Sequence, residues 1–158
     1  MIYGKYQHPS FYMIMTSTPY LRRFILITSI VVLLDQVFKF LILNIQPNLD
    51  GKIIAVHLIK NTGAGFGLLK GQQLLLTLIS LSVALAIIVF YNRIPKEKIP
   101  QLLFALFLGG TIGNLIDRAF RHYVIDFINL KIWPAFNIAD ASITIASIGL
   151  IIYFWKEK

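Results

Sequence analysis

The segment PQLLFALFLGGTIGNLIDR, residues 100–118, decides how the chain is organised. It begins with proline, which suits the first turn of a helix, and continues as an apolar run typical of a membrane span. Gly109 and Gly113 have the small-xxx-small spacing that lets a second helix pack closely in lipid. Asn114 and Asp117 follow on the same helix, toward one end of the span. Polar residues at this depth indicate either a binding partner or a function.

The rest of the chain has the composition of an integral membrane protein. Hydrophobic residues make up 57% of the 158 residues and the mean hydropathy is +0.73, whereas soluble domains contain roughly 45–50% apolar residues. A helix needs roughly 17 to 25 residues to cross a bilayer, and four stretches approach that length. The predicted fold is therefore a membrane all-α protein, a four-transmembrane-helix bundle. Its spans cover about residues 24–43, 74–91, 100–116 and 138–155.

The domain organisation follows from this count. Four spans and their loops use residues 21–158, so we expect a single four-span membrane domain. Residues 1–20 mix aromatic, proline and polar residues without a period, and we interpret them as a loose N-terminal extension. They do not resemble a secretory signal, because the first apolar run is too long and no small-residue cleavage site follows it.

The distribution of lysine and arginine predicts the orientation. Basic residues outside the spans are more frequent on the side of the two termini and the 92–100 loop than on the other side, which favours cytoplasmic termini. Segments 44–73 and 117–137 then face outward. The first contains KIIAVHLIK and the glycine-rich NTGAGFGLLKG, which indicate a β-hairpin or small sheet at the membrane surface.

Several function classes are excluded or disfavoured. The net charge of +8 is dispersed among apolar segments, so it favours membrane anchoring over nucleic-acid binding. The chain has no cysteine, which excludes thiol catalysis and thiolate metal sites. Its three histidines, His8, His57 and His122, match no zinc spacing, and neither a G-x-S-x-G elbow nor a P-loop is present. We expect no metal and no cofactor.

Two carboxylates lack a basic neighbour in sequence. Asp126 lies in VIDFINL in the outer loop, and Asp140 lies in NIADASIT near the start of the fourth span. If the two converged, like charges a few Å apart could not both ionise and would share a proton, as in an aspartic protease. Spacing alone leaves open a catalytic dyad, an ion pathway and a structural polar network.

Two further motifs have a structural and a functional interpretation. Asp35 and Lys39 are four residues apart on one helix face, so they form either a structural ion pair or part of a site. The turn with Asn61, Gly63, Ala64 and Phe66 is either a plain loop or a surface that contacts a substrate, since its glycines permit close backbone approach.

Five blocks in this order resemble the lipoprotein signal peptidases, also called signal peptidase II. They are DQVFK at 35–39, NTGAGF at 61–66, GGTIGNLIDR at 109–118, VIDF at 124–127 and FNIAD at 136–140. The resemblance covers the chain from about residue 22 to its end.

The resemblance implies a four-helix membrane aspartyl endopeptidase with a small outward-facing β element. It would remove the signal peptide from prolipoproteins, cutting before a diacylglyceryl-modified cysteine, in a bacterial-type cytoplasmic (inner) membrane. Asp126 and Asp140 correspond to the catalytic pair, and Asp117 with Arg118 would hold the end of the third helix. The implied substrate-binding or supporting residues are Asp35, Lys39, Asn61, Gly63, Ala64, Phe66, Gly113, Asn114, Asp117, Arg118, Asn137 and Ala139.

The expected partners are prolipoprotein substrates and membrane lipid, without nucleic acid, and the protein is expected to be a monomer. Two other function classes stay open from the residues alone. One is a small proton- or ion-translocating protein that uses Asp35, Lys39, Asp117 and Asp140 as a relay, and the other is a structural assembly protein. A relay needs ionisable groups across the bilayer depth, and a structural protein does not need an unpaired Asp140.

Overall fold

The computed structural model describes residues 11–64 and 69–157. It is mostly helical with one small antiparallel sheet of three strands. A short 3-10 turn, Tyr91–Arg93, follows the second helix. In chain order the elements are α1 (Phe11–Ile45), β1 (Asn48–Asp50), β2 (Ala55–Asn61), α2 (Gln73–Val89), α3 (Lys98–Arg121), β3 (Val124–Asn129) and α4 (Ile138–Lys156).

The four predicted helices are all present. In the described part of the chain, three of them are long and apolar enough to cross a membrane: Pro19–Ile45, Lys98–Arg121 and Ile138–Lys156. The second helix is a shorter apolar helix of 17 residues. The four-helix count is therefore confirmed, whereas four membrane crossings stay a prediction.

The start of the first helix needs a correction. α1 begins at Phe11, so residues 11–20 are helical although the sequence analysis assigned them to a loose extension. Pro19 does not prevent this, because a proline inside a helix removes one hydrogen bond and can be accommodated by a local distortion. Residues 1–10 lie outside the described part, and an extension there stays a prediction.

The glycines of α3 make it the central helix, packed against α1, α2 and α4. A Cβ added at Gly109 would lie 2.7 Å from the Val31 Cβ, and one added at Gly113 would lie 2.7 Å from the Asp35 Oδ2. Both separations are shorter than real Cβ atoms allow. The close approach predicted from the Gly109 and Gly113 spacing is therefore confirmed, and α1 is the helix that uses it.

The predicted small β element is present as a three-stranded sheet, and the turn of its first hairpin lies between β1 and β2, before AVHLIKN. β1 pairs with β2, and β2 pairs with β3, which places Ile59 opposite Asp126. Alternate residues of a strand face opposite sides. Ile125 and Phe127 accordingly pack with Ile42 in an apolar core, whereas Asp126 faces the other way. This alternation turns the Asp126 carboxylate toward the candidate site.

The turns around β3 are set by local side-chain and backbone preferences. α3 ends at His122, which has φ 63° and adopts the left-handed conformation usually supplied by glycine or asparagine. At the other end of the loop, Asn137 caps α4: its side chain accepts a hydrogen bond from the Asp140 backbone N–H, and the Asp140 side chain accepts one from the Asn137 N–H. This capping box fixes Asp140 in the first turn of α4.

Candidate active site

Asp126 and Asp140 line one cavity of about 720 Å³. Asp126 is almost fully buried, with 1% of its surface exposed, and Asp140 is partly buried. Much of the remaining wall is apolar and includes Trp133, Phe136 and Ile143. The fold therefore brings together the two carboxylates that stand without basic neighbours in the sequence.

Asn137 connects the two carboxylates. Its Nδ2 donates to the Asp126 Oδ1 at 2.8 Å, and its Oδ1 accepts from the Asp140 backbone N at 2.8 Å. Its own backbone N donates to the Asp140 Oδ2 at 3.3 Å. One capping asparagine thus binds both aspartates and holds them close together, although they are 14 residues apart in the sequence.

Two more amides complete the hydrogen bonding of the pair. Asn61 Nδ2 donates to the Asp126 Oδ2 at 2.8 Å, and Asn114 Nδ2 donates to the Asp140 Oδ1 at 2.7 Å. Each carboxylate oxygen therefore accepts from a neutral N–H group. Neutral donors orient a carboxylate without the full compensation that a cation gives to its charge.

The surroundings of Asp126 favour its protonated form. Burial, followed by the negative charge of Asp140, raises the pKa of Asp126 from 3.8 to about 7, although hydrogen bonds from Asn61 and Asn137 act in the opposite direction. Interacting carboxylates titrate as a pair. The pair can therefore hold one proton near neutral pH, which is the state that general acid–base catalysis requires.

A second pair of carboxylates surrounds Lys39, which is fully buried. The Lys39 Nζ lies 2.7 Å from the Asp35 Oδ2 and 3.0 Å from the Asp117 Oδ2. It also donates to the Asn114 Oδ1 at 3.0 Å. We call Asp35, Lys39 and Asp117 the lysine clamp. Because Asn114 contacts Asp140 as well, the clamp and the aspartate pair belong to one connected polar network.

The lysine clamp also binds the backbone beside each aspartate of the pair. Asp35 Oδ1 accepts from the Ala139 N at 2.9 Å, and Ala139 directly precedes Asp140. Asp117 Oδ2 accepts from the Ile125 N at 2.9 Å, and Ile125 directly precedes Asp126. The clamp therefore fixes the backbone of β3 next to Asp126 and the backbone of α4 next to Asp140.

Arg118 and Asp117, predicted together as supporting residues, lie on different faces of α3. Asp117 pairs with Lys39 and with Arg121, not with Arg118. Neighbouring helix residues point about 100° apart, whereas residues four apart share a face. Arg118 instead lines the cavity, and its Nη1 donates to the Ser80 Oγ at 3.4 Å.

Two residues of the network were missed from the sequence. Gln36 Nε2 donates to the Gly113 carbonyl at 3.1 Å and contacts both carboxylates of the lysine clamp. Arg121 donates to the Asp117 Oδ1 and to the Gln36 Oε1. The i,i+4 spacing of Asp117 and Arg121 was an available signal, and so was the position of Gln36, a polar residue inside a membrane span and within the DQVFK block.

Of the other predicted site residues, two line the cavity and two lie where α3 packs against α4. Gly63 and Ala64 line the cavity, and the Gly63 N donates to the Asn61 Oδ1 at 2.9 Å, which orients the amide that contacts Asp126. Gly113 and Ala139 pack where α3 approaches α4. Phe66 lies outside the described residues. Among residues 11–64 and 69–157, no group of three His, Cys, Asp or Glu side chains could hold a metal ion.

Comparisons with known proteins give a consistent result. The family model for signal peptidase (SPase) II matches residues 27–156. A lipoprotein signal peptidase of Halothermothrix orenii is 35% identical over 138 residues, covering 84% of this chain and 95% of the relative. One of Moorella thermoacetica is 38% identical over 139 residues, covering 84% and 91%.

Solved structures agree with these relatives. A bacterial membrane enzyme determined by the in meso method at 2.3 Å resolution superposes with a TM-score of 0.80 at 31% identity, covering 85% of this chain and 88% of the other. A second bacterial membrane enzyme, determined by the same method at 1.9 Å resolution, gives a TM-score of 0.76 at 32% identity, covering 86% and 94%.

Proposed function

The chain belongs to the signal peptidase II family, and from this membership we propose that Asp126 and Asp140 are the catalytic dyad with which it removes the signal peptide from diacylglyceryl-modified prolipoproteins. The protein is an aspartic endopeptidase. The observation that carries the residue assignment is the position of Asn137, which binds both carboxylates at the wall of one cavity.

The chemistry requires two carboxyl groups that share one proton. The ionised carboxylate takes a proton from water, and the water oxygen attacks the carbonyl carbon of the scissile peptide bond. The protonated carboxyl gives its proton to the carbonyl oxygen, which forms a tetrahedral diol. As the C–N bond breaks, the amine nitrogen of the cysteine receives a proton from the dyad. One hydroxyl of the diol returns a proton to the ionised carboxylate, which gives the carboxylic acid of the signal peptide and restores the singly protonated pair. The elevated pKa of Asp126, about 7, supports a resting state with one shared proton.

Position relative to the membrane supports this substrate class. Asp117 follows Lys98 by about 28 Å along α3, at 1.5 Å per residue, which is close to the thickness of the hydrocarbon core. The dyad is therefore proposed to lie at the outer surface of a cytoplasmic (inner) membrane, with both termini inside and α2 as a fourth span. A lipid-anchored cysteine brings its peptide bond to that depth, and anchoring raises the effective concentration of the substrate.

Supporting residues are proposed to act in two ways. The lysine clamp positions the backbone before each catalytic aspartate, through Ala139 and Ile125. Arg118 is proposed to contact substrate, because it lines the cavity and its buried Nε has no hydrogen-bond partner within the described part of the chain. The turn with Gly63 and Ala64 is proposed to border the peptide. We expect one chain to be sufficient for these contacts.

A proton or ion carrier is disfavoured by the same geometry. Asp35, Lys39 and Asp117 contact one another directly, and Asn114 joins Lys39 to Asp140. These ionisable groups are therefore gathered at one end of the bundle, whereas a relay requires groups distributed across the bilayer.

The proposal is tested by cleavage of a diacylglyceryl-modified prolipoprotein with detergent-purified protein, with chelator present throughout. Wild type is compared with Asp126→Asn and Asp140→Asn. We expect each amide variant to lose about 100- to 10,000-fold in cleavage rate, because it cannot transfer the proton.

Asp50→Asn is the matched control, since Asp50 is an exposed carboxylate of the same sheet that does not line the cavity. It should cleave at the wild-type rate. Full activity in either dyad variant would contradict the proposed dyad. Absence of wild-type cleavage in chelator, together with cleavage in a parallel assay without chelator, would contradict the expectation that no metal takes part.

A further inference from the structure

A second cavity lies far from the dyad, between residues 20–27 of α1 and the first turns of α3. Its volume is about 190 Å³, and its wall includes Tyr20, Arg23 and Lys98. Within the part of the chain that the structure describes, the wall contains no aspartate or glutamate, and neither Arg23 nor Lys98 forms an ion pair. Two cations and a phenol hydroxyl suit an anion.

The wall changes from charged to apolar in the same direction on both helices. One turn beyond Arg23, α1 presents Ile27, and one turn beyond Lys98, α3 presents Leu102 to the same cavity. Residues four apart share a helix face, so each helix presents a cation followed by an apolar side chain. A phospholipid has the matching order, because its phosphate lies at the interface and its acyl chains lie deeper.

The depth of this cavity separates it from the peptidase site. Lys98 is the first residue of α3, and Asp117 lies about 28 Å further along the helix, at 1.5 Å per residue. The cavity therefore lies near the opposite membrane surface from the dyad. A volume of 190 Å³ is below the ~300 to 1,000 Å³ typical of pockets that enclose a whole small molecule, which suits a headgroup whose chains remain in the bilayer.

Among the described residues, Lys98 has no acidic partner in the cavity. The first turn of α3 has no acidic residue and begins with this lysine. Glu97, the N-cap residue, complements the partial positive charge of the helix start, but its Oε2 accepts from the Tyr153 hydroxyl of α4 at 2.9 Å, and Glu97 does not line the cavity.

We propose that the cavity between α1 and α3, lined by Arg23, Lys98 and Tyr20, binds the phosphate of an anionic phospholipid in the membrane leaflet opposite the dyad. The two cations contact the phosphate oxygens, the Tyr20 hydroxyl donates to them, and Ile27 and Leu102 contact the first part of an acyl chain. This site is separate from substrate binding and requires no chemistry.

The test is native mass spectrometry of delipidated full-length protein in neutral detergent, titrated with short-chain phosphatidylglycerol, with phosphatidylcholine and with inorganic phosphate. Wild type should bind phosphatidylglycerol in preference to phosphatidylcholine. Arg23→Gln and Lys98→Gln should each weaken phosphatidylglycerol binding about fivefold, from the contribution of one basic residue at a membrane surface. Arg22→Gln, an exposed neighbour that does not line the cavity, should change it less than twofold.

Lys98→Glu separates a binding role from a structural one. An acidic residue at the start of α3 should keep or raise the Tm without lipid, because it complements the helix dipole. It should abolish the rise in Tm that phosphatidylglycerol gives to wild type by mass action. The proposal is overturned by equal effects of Arg22→Gln and Arg23→Gln, by equal binding of the two lipids, or by inorganic phosphate that competes as well as lipid does.

Discussion

Two pairs of aspartates lie in one polar network, and they differ in what holds them. Asp35 and Asp117 are bridged by the buried Lys39, at 2.7 and 3.0 Å. Asp126 and Asp140 accept hydrogen bonds from neutral amides of asparagine residues. A cation stabilises the ionised form of both of its neighbours, whereas amides orient a carboxylate and leave its proton exchangeable. The first pair is therefore suited to positioning and the second to proton transfer.

This difference shows that burial alone does not identify the reactive carboxylates. Asp35, Asp117 and Asp126 are all at most 1% exposed, yet only Asp126 lines the cavity among these three. What separates them is the partner: a cation in one case and amides in the other. Substitutions that remove the cation or the carboxylates should therefore affect stability and proton binding differently in the two pairs.

The largest expected effect is that of Lys39→Met. The substitution leaves Asp35 and Asp117 buried without the cation between them, and loss of one partner of a buried ion pair costs roughly 3–5 kcal/mol of unfolding free energy. The measurement is denaturation of the purified protein in detergent at neutral pH, followed by helix content.

A triple variant provides the control for this prediction. When Lys39→Met is combined with Asp35→Asn and Asp117→Asn, no buried charge remains at these three positions, so much of the lost stability should return. If Lys39→Met alone left the unfolding free energy unchanged, the lysine clamp would not stabilise the fold, and the proposed positioning role would be contradicted.

The second-largest expected effect is on the pH dependence of stability, which should reveal the proton that the pair Asp126 and Asp140 holds. The pKa of Asp126 is about 7 in the fold and 3.8 without it, so the folded protein binds the extra proton more tightly between these values. The stability contributed by this proton is complete below pH 4 and is lost as the pH rises through 7. Relative to wild type, Asp126→Asn should gain stability from pH 4 to 7, by less than about 4 kcal/mol, and no further above that.

Asp50 gives the control with the opposite sign. Hydrogen bonding and charge from Lys131 lower the pKa of this exposed carboxylate, so its contribution to stability is present above its unfolded pKa and is lost as the pH falls. The Tm of Asp126→Asn and the Tm of Asp50→Asn, each taken relative to wild type, should therefore change in opposite directions as the pH rises from 3 to 8. A constant difference between Asp126→Asn and wild type would mean that the dyad does not hold a proton in this range.

The sequence made part of this site predictable. The apolar runs predicted four helices, and the Gly109 and Gly113 spacing predicted a close helix contact, because both depend on residues near one another in the chain. The five blocks of the family resemblance then pointed to the two aspartates of the proposed dyad and to most of the residues that the structure places around them, without saying which of them touch. Asn137 could be placed beside Asp140 because an asparagine three residues before an acidic residue is typical of a helix N-terminus.

The remaining contacts depend on how distant elements meet. That β3 would dock beside α3, with the Ile125 N donating to Asp117, is decided by the register of three strands and the end of α3. Gln36 contacts the lysine clamp only because α1 is rotated toward Gly113. His122 has a left-handed conformation although glycine is the residue that usually predicts it. Such features follow from packing, which local patterns do not specify.

The smallest expected effect on the free energy of unfolding is that of Arg121→Gln. This substitution tests whether the lysine clamp needs a second cation beside Asp117. Arg121 pairs with Asp117 four residues earlier, but 26% of its side chain is exposed and Lys39 remains beside the same carboxylate. Partly exposed pairs contribute little, so we expect a loss of about 1 kcal/mol in unfolding free energy, well below that of Lys39→Met. Arg22→Gln, an exposed arginine of the same bundle outside the network, controls for the loss of one positive charge. A loss as large as that of Lys39→Met would show that Asp117 relies on its partly exposed cation as much as on the buried one, so that both cations, and not Lys39 alone, distinguish this pair of aspartates from the amide-bound pair.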